Sequence, residues 1–132
     1  MADVGTWNPE QSVTLDEPVM ARLCGADAEL DAPALGFAPD EVSRYAPIMR
    51  LAAAVWAEKA LTLPVERIES LIRVLTVAEM KLPGWEANAR SPVVPLVAEL
   101  KRRGAYEKAL TTWIKAHTTN RFLPHGNLMD RL

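Results

Sequence analysis

The sequence predicts an all-α fold, a compact bundle of about five helices with an extended N-terminal arm and an apolar C-terminal tail. Apolar residues recur at three- and four-residue steps over long stretches, whereas no alternation of apolar and polar residues lasts six residues. A chain of 132 residues has the length of one domain. We therefore interpret 1–132 as a single helical domain, with an arm (1–13), a helical core (14–118) and a docking tail (119–132).

The longest helix is predicted within residues 62–82 and should lie at the centre of the core. Pro64 suits its first turn, because the amide that proline lacks would be unpaired there, and Pro83 ends it. Glu69 and Arg73 are four residues apart and are expected to form an ion pair on its outer side. One face of the helix is apolar and consists of Val65, Ile68, Leu71, Ile72, Leu75 and Leu82.

Three helices are predicted before this one. Thr14, with a glutamate three residues later, has the spacing of a capping box and should begin a short helix that ends at Cys24. Pro39 begins a second helix that runs to Tyr45. The third spans residues 47–61 and is apolar nearly all round, so it is either buried or part of an interface.

Two helices follow the central one. Ser91 can cap the first, which runs over 92–103 and is closed by Gly104, and the second runs over 106–117. The tail after them is too apolar to be a plain disordered end. We expect it to dock, preferably on its own bundle.

Charge and cysteine content limit the function classes. The first 80 residues carry 13 acidic and six basic side chains, whereas the remaining 52 carry four acidic and nine basic ones, so the two halves have opposite net charge. A single cysteine, Cys24, excludes an internal disulfide and fits a reducing compartment. There is neither an apolar run long enough for a membrane span nor a secretory signal. The expected location is the cytoplasm, with no membrane partner.

The leading hypothesis is a non-catalytic protein–protein interaction module, either an accessory subunit of a larger assembly or a self-associating regulator. Its partner would be another protein or a second copy of the chain. The apolar third helix, the division of charge and several aromatic residues outside regular helices favour this hypothesis. The predicted contact residues are Trp7, Trp56, Trp85, Phe122, Leu123, Leu128 and Met129.

The alternative hypothesis is a nucleic-acid-binding regulator. Residues 92–117 have the order of a helix-turn-helix pair and lie in the basic half of the chain. The sequence pI of about 5.7 argues against this alternative. The residues that would contact phosphates or bases are Lys101, Arg102, Arg103, Lys108, Thr111 and Lys115.

Two further polar residues fall on apolar helix faces. Glu79 projects from the buried arc of the central helix and needs a partner, expected to be Arg90, His117 or an arginine of the tail. His117 is expected at the edge of the core, bonded to a carbonyl or a carboxylate. An enzyme that uses the two as an acid–base pair is a third, weaker possibility. No motif for a nucleophile, a phosphate loop or a metal site is present, so neither cofactor nor metal is expected.

Overall fold

One long helix organises the part of the chain that the computed structural model describes, residues 14–126. This part contains six α-helices, three short 3-10 helices and no strand, which confirms the prediction of an all-α bundle of about five helices. The arm 1–13 with Trp7, and the end of the tail with Leu128 and Met129, lie outside the described residues. The helices are α1 (Glu17–Gly25), α2 (Pro39–Tyr45), α3 (Ala53–Ala60), α4 (Val65–Lys81), α5 (Val93–Arg102) and α6 (Lys108–His117).

Helix α4 is the predicted central helix, and it is covered on most of its circumference. Pro64 occupies its N-cap in extended geometry, and Leu82 follows its last residue. Helices α1, α5 and α6 and the 3-10 turn Ala26–Glu29 all pack against it, while α3 packs on α5. Nine of its 17 residues are buried, namely Ile68, Leu71, Ile72, Val74, Leu75, Thr76, Val77, Ala78 and Glu79.

The predicted helix 47–61 is two separate pieces. Ala46–Arg50 is a 3-10 helix, Leu51 is extended (ψ 148°), and α3 begins two residues later. Pro47 cannot supply an amide to a regular helix at this point. The extended link also turns the chain, so that Ile48 and Trp56 both reach the core, where the indole N–H of Trp56 donates to the Ile48 carbonyl at 3.0 Å.

Two local polar contacts differ from their predictions. In each case an acidic residue takes the position of the predicted one. Asp16, not Thr14, caps α1, and its carboxylate accepts from the backbone N–H of Val19 at 3.1 Å. Arg73 forms its ion pair with Asp27 at 2.7 Å instead of with Glu69. A bidentate contact to one carboxylate is a better geometry than an exposed i,i+4 pair.

The first part of the tail packs against the chain's own bundle. The Leu123 side chain is 1% exposed and belongs to the core, whereas Phe122 is half-buried. Asn120 anchors this segment, because its side-chain amide donates to the carbonyl of Asn88 at 2.9 Å. The tail is therefore part of the fold at least as far as Gly126.

We predict that Leu75→Ala lowers the free energy of unfolding by roughly 2–5 kcal/mol, because the fully buried leucine leaves a cavity when truncated. Denaturant-induced unfolding followed by circular dichroism measures the change. Leu61→Ala is the matched control. Leu61 is 58% exposed, and its truncation should cost less than about 0.5 kcal/mol. Equal losses for the two variants would contradict the assignment of α4 as the centre of the core.

Candidate functional site

One side of α4 is left uncovered and forms the floor of a groove, which we call the α4 groove. Its floor consists of Glu69, Arg73, Val77 and Met80, which succeed one another at steps of three or four residues and therefore share a helix face. Helix α6 forms one wall along the groove, whereas the segment 27–31 forms the opposite wall only beside Val77 and Met80. Met80 is 47% exposed, whereas the six residues before it, 74–79, are all buried.

Trp113 forms the α6 wall and divides the groove into two recesses of about 370 and 330 Å³, both of which it lines. The neighbouring residue Ile114 points into the core and is fully buried. Because successive residues of a helix are about 100° apart, the indole of Trp113 falls at the edge of the core and stays half-buried. The groove thus has an aromatic wall beside a floor that is charged at Glu69 and Arg73 and apolar at Val77 and Met80.

His117 extends this wall instead of lying at the edge of the core. Its ring stacks on Trp113 with centroids 4.0 Å apart and an interplanar angle of 17°. Its Nδ1 lies 2.7 Å from the Trp113 carbonyl, the kind of bond predicted, but the side chain is exposed. His117 therefore holds the orientation of the indole on the solvent side.

The opposite wall is tied to α4 by charged side chains. Arg73 donates to Asp27 through Nε at 2.9 Å and through a terminal nitrogen at 2.7 Å. The ammonium group of Lys81 donates to the carbonyls of Leu30 and Ala32 at 2.8 and 3.2 Å. Both cations of the groove are therefore already bonded to the protein itself.

Carboxylates outnumber cations along the groove, although Lys81, which bonds only to neutral carbonyls, keeps its positive charge. Asp31, Glu69 and Glu107 line it, and none of the three forms an ion pair within residues 14–126. Glu69 is half-buried, whereas Asp31 and Glu107 are exposed. The lining of the groove consequently presents an apolar strip bordered by carboxylates.

Glu79 lies on another side of α4 and is 6% exposed, as its place in the buried arc predicted. Its partners are neutral groups, not the cations that we expected. The hydroxyl of Ser91 donates to one carboxylate oxygen, and the amide of Asn120 donates to the other at 3.1 Å. Burial raises the pKa of Glu79 above its ordinary value, and these two hydrogen bonds oppose the shift only in part.

The structure does not bring Glu79 and His117 together. Glu79 lines a separate small recess of about 130 Å³ beside Asn88 and Asn120, and His117 lines the α4 groove. Met80 borders both recesses and stands between them. An acid–base pair of these two residues therefore has no supporting geometry. Among residues 14–126, no cluster of three or more His, Cys, Asp or Glu side chains is arranged to hold a metal ion.

Two tryptophans that we predicted as partner contacts are core residues. Trp56 and Trp85 are both fully buried. The indole N–H of Trp85 donates to the Val42 carbonyl at 2.9 Å, as that of Trp56 does to Ile48. A satisfied indole N–H removes the main cost of burying the ring, so neither residue is available to a partner in this fold.

The basic run before Gly104 is also largely used within the chain. Arg102 and Arg103 both donate to Glu99, and they lower the pKa of that carboxyl to about 2. Lys101 donates to Nδ1 of His125 at 2.7 Å. These contacts tie the end of α5 to the tail and to its own preceding turn.

The predicted pair of helices at 92–117 differs from a helix-turn-helix in its packing. Helix α5 packs mainly on α3 and α4, and α6 packs mainly on α4. The hydroxyl of Thr111 bonds with that of Tyr106, so it faces inward. Lys108 and Lys115 are exposed.

Sequence reasoning missed the groove itself. The one local signal is Met80, because it is an apolar residue on the outer, polar side of α4 and needs either a cover or a partner.

Comparisons with known proteins place the chain in no family: no family model, no curated protein and no solved structure matches it. Over residues 14–126, none of the helices combines the length and apolar character that a membrane crossing requires.

We predict that the free energy of unfolding of the Glu79→Gln variant increases relative to that of the natural chain as the pH rises from about 4 to about 8. The pKa of Glu79 is raised in the folded chain. Its contribution to stability is therefore fully present below the unfolded-state pKa and is lost as the pH rises through the folded-state pKa. Thermal unfolding of both proteins across this pH range measures the difference between their stabilities.

Glu66→Gln is the control for this experiment, since Glu66 is an exposed residue of the same helix. The stability of Glu66→Gln relative to the natural chain should change little with pH. A difference for Glu79→Gln that stays constant or falls with pH would show that the buried carboxyl is not held in a desolvated site.

Proposed function

We propose that this chain is a non-catalytic protein–protein interaction module, an accessory subunit of a larger assembly, and that it contacts its partner through the α4 groove. The observation that carries the proposal is the exposed Met80 beside the half-buried Trp113, on an otherwise covered central helix. Water contacts apolar surface here that a folded monomer would ordinarily cover. Methionine and tryptophan are also side chains that recur at protein contact surfaces.

A self-associating regulator remains the second form of this proposal, and α3 supports it. Val55 and Leu61 are 42% and 58% exposed, and the alanines around them are exposed as well. The predicted apolar helix thus buries Trp56 and Ala60 and leaves its other side in water. Light scattering coupled to size-exclusion chromatography decides between a monomer and a second copy as partner.

We place the chain in the cytoplasm as part of the same proposal. Cys24 is a free, half-buried thiol. Burial raises its pKa, so the less reactive thiol form is favoured. A reducing compartment suits such a residue.

We predict that a photo-reactive benzophenone side chain at Ala109 cross-links one partner protein in extracts of the native cell. Ala109 is exposed and lines the groove. The matched position is Ala98, which is exposed on α5 and does not line either recess of the groove. The partner is then identified by mass spectrometry, purified and titrated with this chain.

In that titration, Trp113→Ala should weaken binding by about 2 kcal/mol, roughly thirtyfold, as expected for an aromatic residue at the centre of an interface. Met80→Ser is a second variant that leaves the half-buried indole in place, and circular dichroism checks that both variants are folded. Equal cross-linking at Ala98 and Ala109, or unchanged affinity in both variants, would contradict the groove as the contact surface.

The nucleic-acid alternative keeps one supporting observation, the exposed Lys108 and Lys115 on the outer side of α6. If it is right, binding to a duplex falls steeply with salt, and the Lys108→Ala, Lys115→Ala double variant reduces the salt slope by about 2, because phosphate contacts release counterions. We expect no measurable binding at physiological salt. A salt-dependent, sub-micromolar affinity in an anisotropy titration would favour the alternative over the interaction module.

A further inference from the structure

We infer that the α4 groove binds an amphipathic helix of about three turns whose flanks are cationic. The inference rests on the proposed function and names the kind of partner that the groove accepts. It is carried by the length of the groove, by the composition of its floor and walls, and by the sign of its unpaired charges.

The length of the groove matches a short helix. Its floor runs from Glu69 to Met80, eleven residues of α4, which at 1.5 Å each span roughly 16 Å. Three helical turns have the same length. The floor residues also follow one another mainly at four-residue steps, and such a ridge packs into the surface of a second helix.

The groove offers apolar contacts at one end, in the recess beside the segment 27–31. Val77 and Met80 form the floor there, and the Trp113 ring forms the wall. An amphipathic helix would place two or three large apolar side chains, at positions i, i+4 and i+7, against these residues. The flexible thioether of Met80 can adapt to their shape.

The groove walls disfavour an extended peptide. The segment 27–31 and α6 make turn and helix hydrogen bonds, and no strand lies among residues 14–126. Strand addition needs an open sheet edge whose backbone groups can pair with the peptide. A helix, in contrast, brings its own backbone hydrogen bonds and needs only side-chain contacts.

The unpaired charges determine the sign of the partner. Arg73 is ion-paired with Asp27, whereas Lys81 bonds only to neutral carbonyls and keeps its positive charge. The carboxylates of Asp31, Glu69 and Glu107 form no ion pair in the described part, so negative charge exceeds positive charge along the groove. Lysine or arginine residues beside the apolar stripe of the partner would meet these carboxylates. An acidic helix would be repelled, which gives the groove selectivity as well as affinity.

The test uses the full chain and three synthetic peptides of 16 residues, a length chosen to give about four helical turns. All carry leucines at i, i+4, i+7 and i+11. The first has lysine and arginine beside this stripe, the second has glutamate at those positions, and the third is the first with a central proline that breaks the helix. Fluorescence anisotropy of a labelled peptide, at low and at physiological salt, gives the affinities.

We expect the cationic peptide to bind at least roughly tenfold more tightly than the acidic peptide and the proline peptide. The Asp31→Lys, Glu107→Lys double variant, at two exposed positions, should reverse the preference between the first two. The cationic peptide should also compete with cross-linking at Ala109. Trp113→Ala should abolish binding of all three peptides.

Other results would overturn the inference. Equal binding of the proline peptide would show an extended ligand, and equal binding of the acidic peptide would remove the charge argument. If the natural chain has the mass of a dimer in solution and Trp113→Ala has the mass of a monomer, a second copy of the chain occupies the groove. If no peptide binds while Ala109 still cross-links a partner, the proposed function stands and the helical ligand does not. If Ala109 cross-links nothing either, both fail.

Discussion

The burial of α4 is the constraint on which the rest of this structure depends. A helix with nine of 17 residues buried needs a covering element on almost every side, and α1, α5 and α6 supply three of them. Arg67 and Arg73 reach back across many residues to Glu17 and Asp27. Each pair is partly exposed and contributes little to stability. Their geometry nevertheless holds the N-terminal elements on one side of α4, and so it determines which side remains open.

The open side of α4 and the side that carries Glu79 are covered differently. Glu79 has a buried carboxyl that the tail helps to satisfy, because Asn120 bridges it to the carbonyl of Asn88. This arrangement makes the tail part of the fold and explains why Leu123 can be buried beyond it. On the open side, Met80 is 47% exposed although Thr119 contacts its sulfur, and Trp113 is half-buried although His117 stacks on it. The tail thus closes one flank of the central helix, and the other flank stays open within residues 14–126.

The division of charge along the chain acquires a physical meaning in this arrangement. Part of the acidic surplus of the N-terminal half is matched by arginines of α1 and α4, as in the pair of Arg22 with Glu41. The carboxylates that remain unpaired include those beside the α4 groove. An apolar strip with a negative border is complementary to a basic amphipathic helix. The cationic flanks that we infer for the partner helix therefore rest on where these charges lie rather than on the net charge of the chain, which is −2.

The sequence by itself determined the helices and much of the core. The apolar period of residues 62–82 predicted α4, the prolines at 39 and 64 predicted two helix starts, and the place of Glu79 in the apolar arc predicted its burial. Such signals are local, because a helix face and a cap depend on residues within about four positions. Only the tertiary structure decided that Arg73 pairs with Asp27, that Trp85 bonds to Val42, and that Glu79 meets Ser91 and Asn120. Most of these contacts join residues more than 40 positions apart, and the spacing of residues along one helix says nothing about which distant group will arrive beside it. The groove was also decided only by the tertiary structure, since it exists only because α6 and the segment 27–31 approach α4 without closing over Met80.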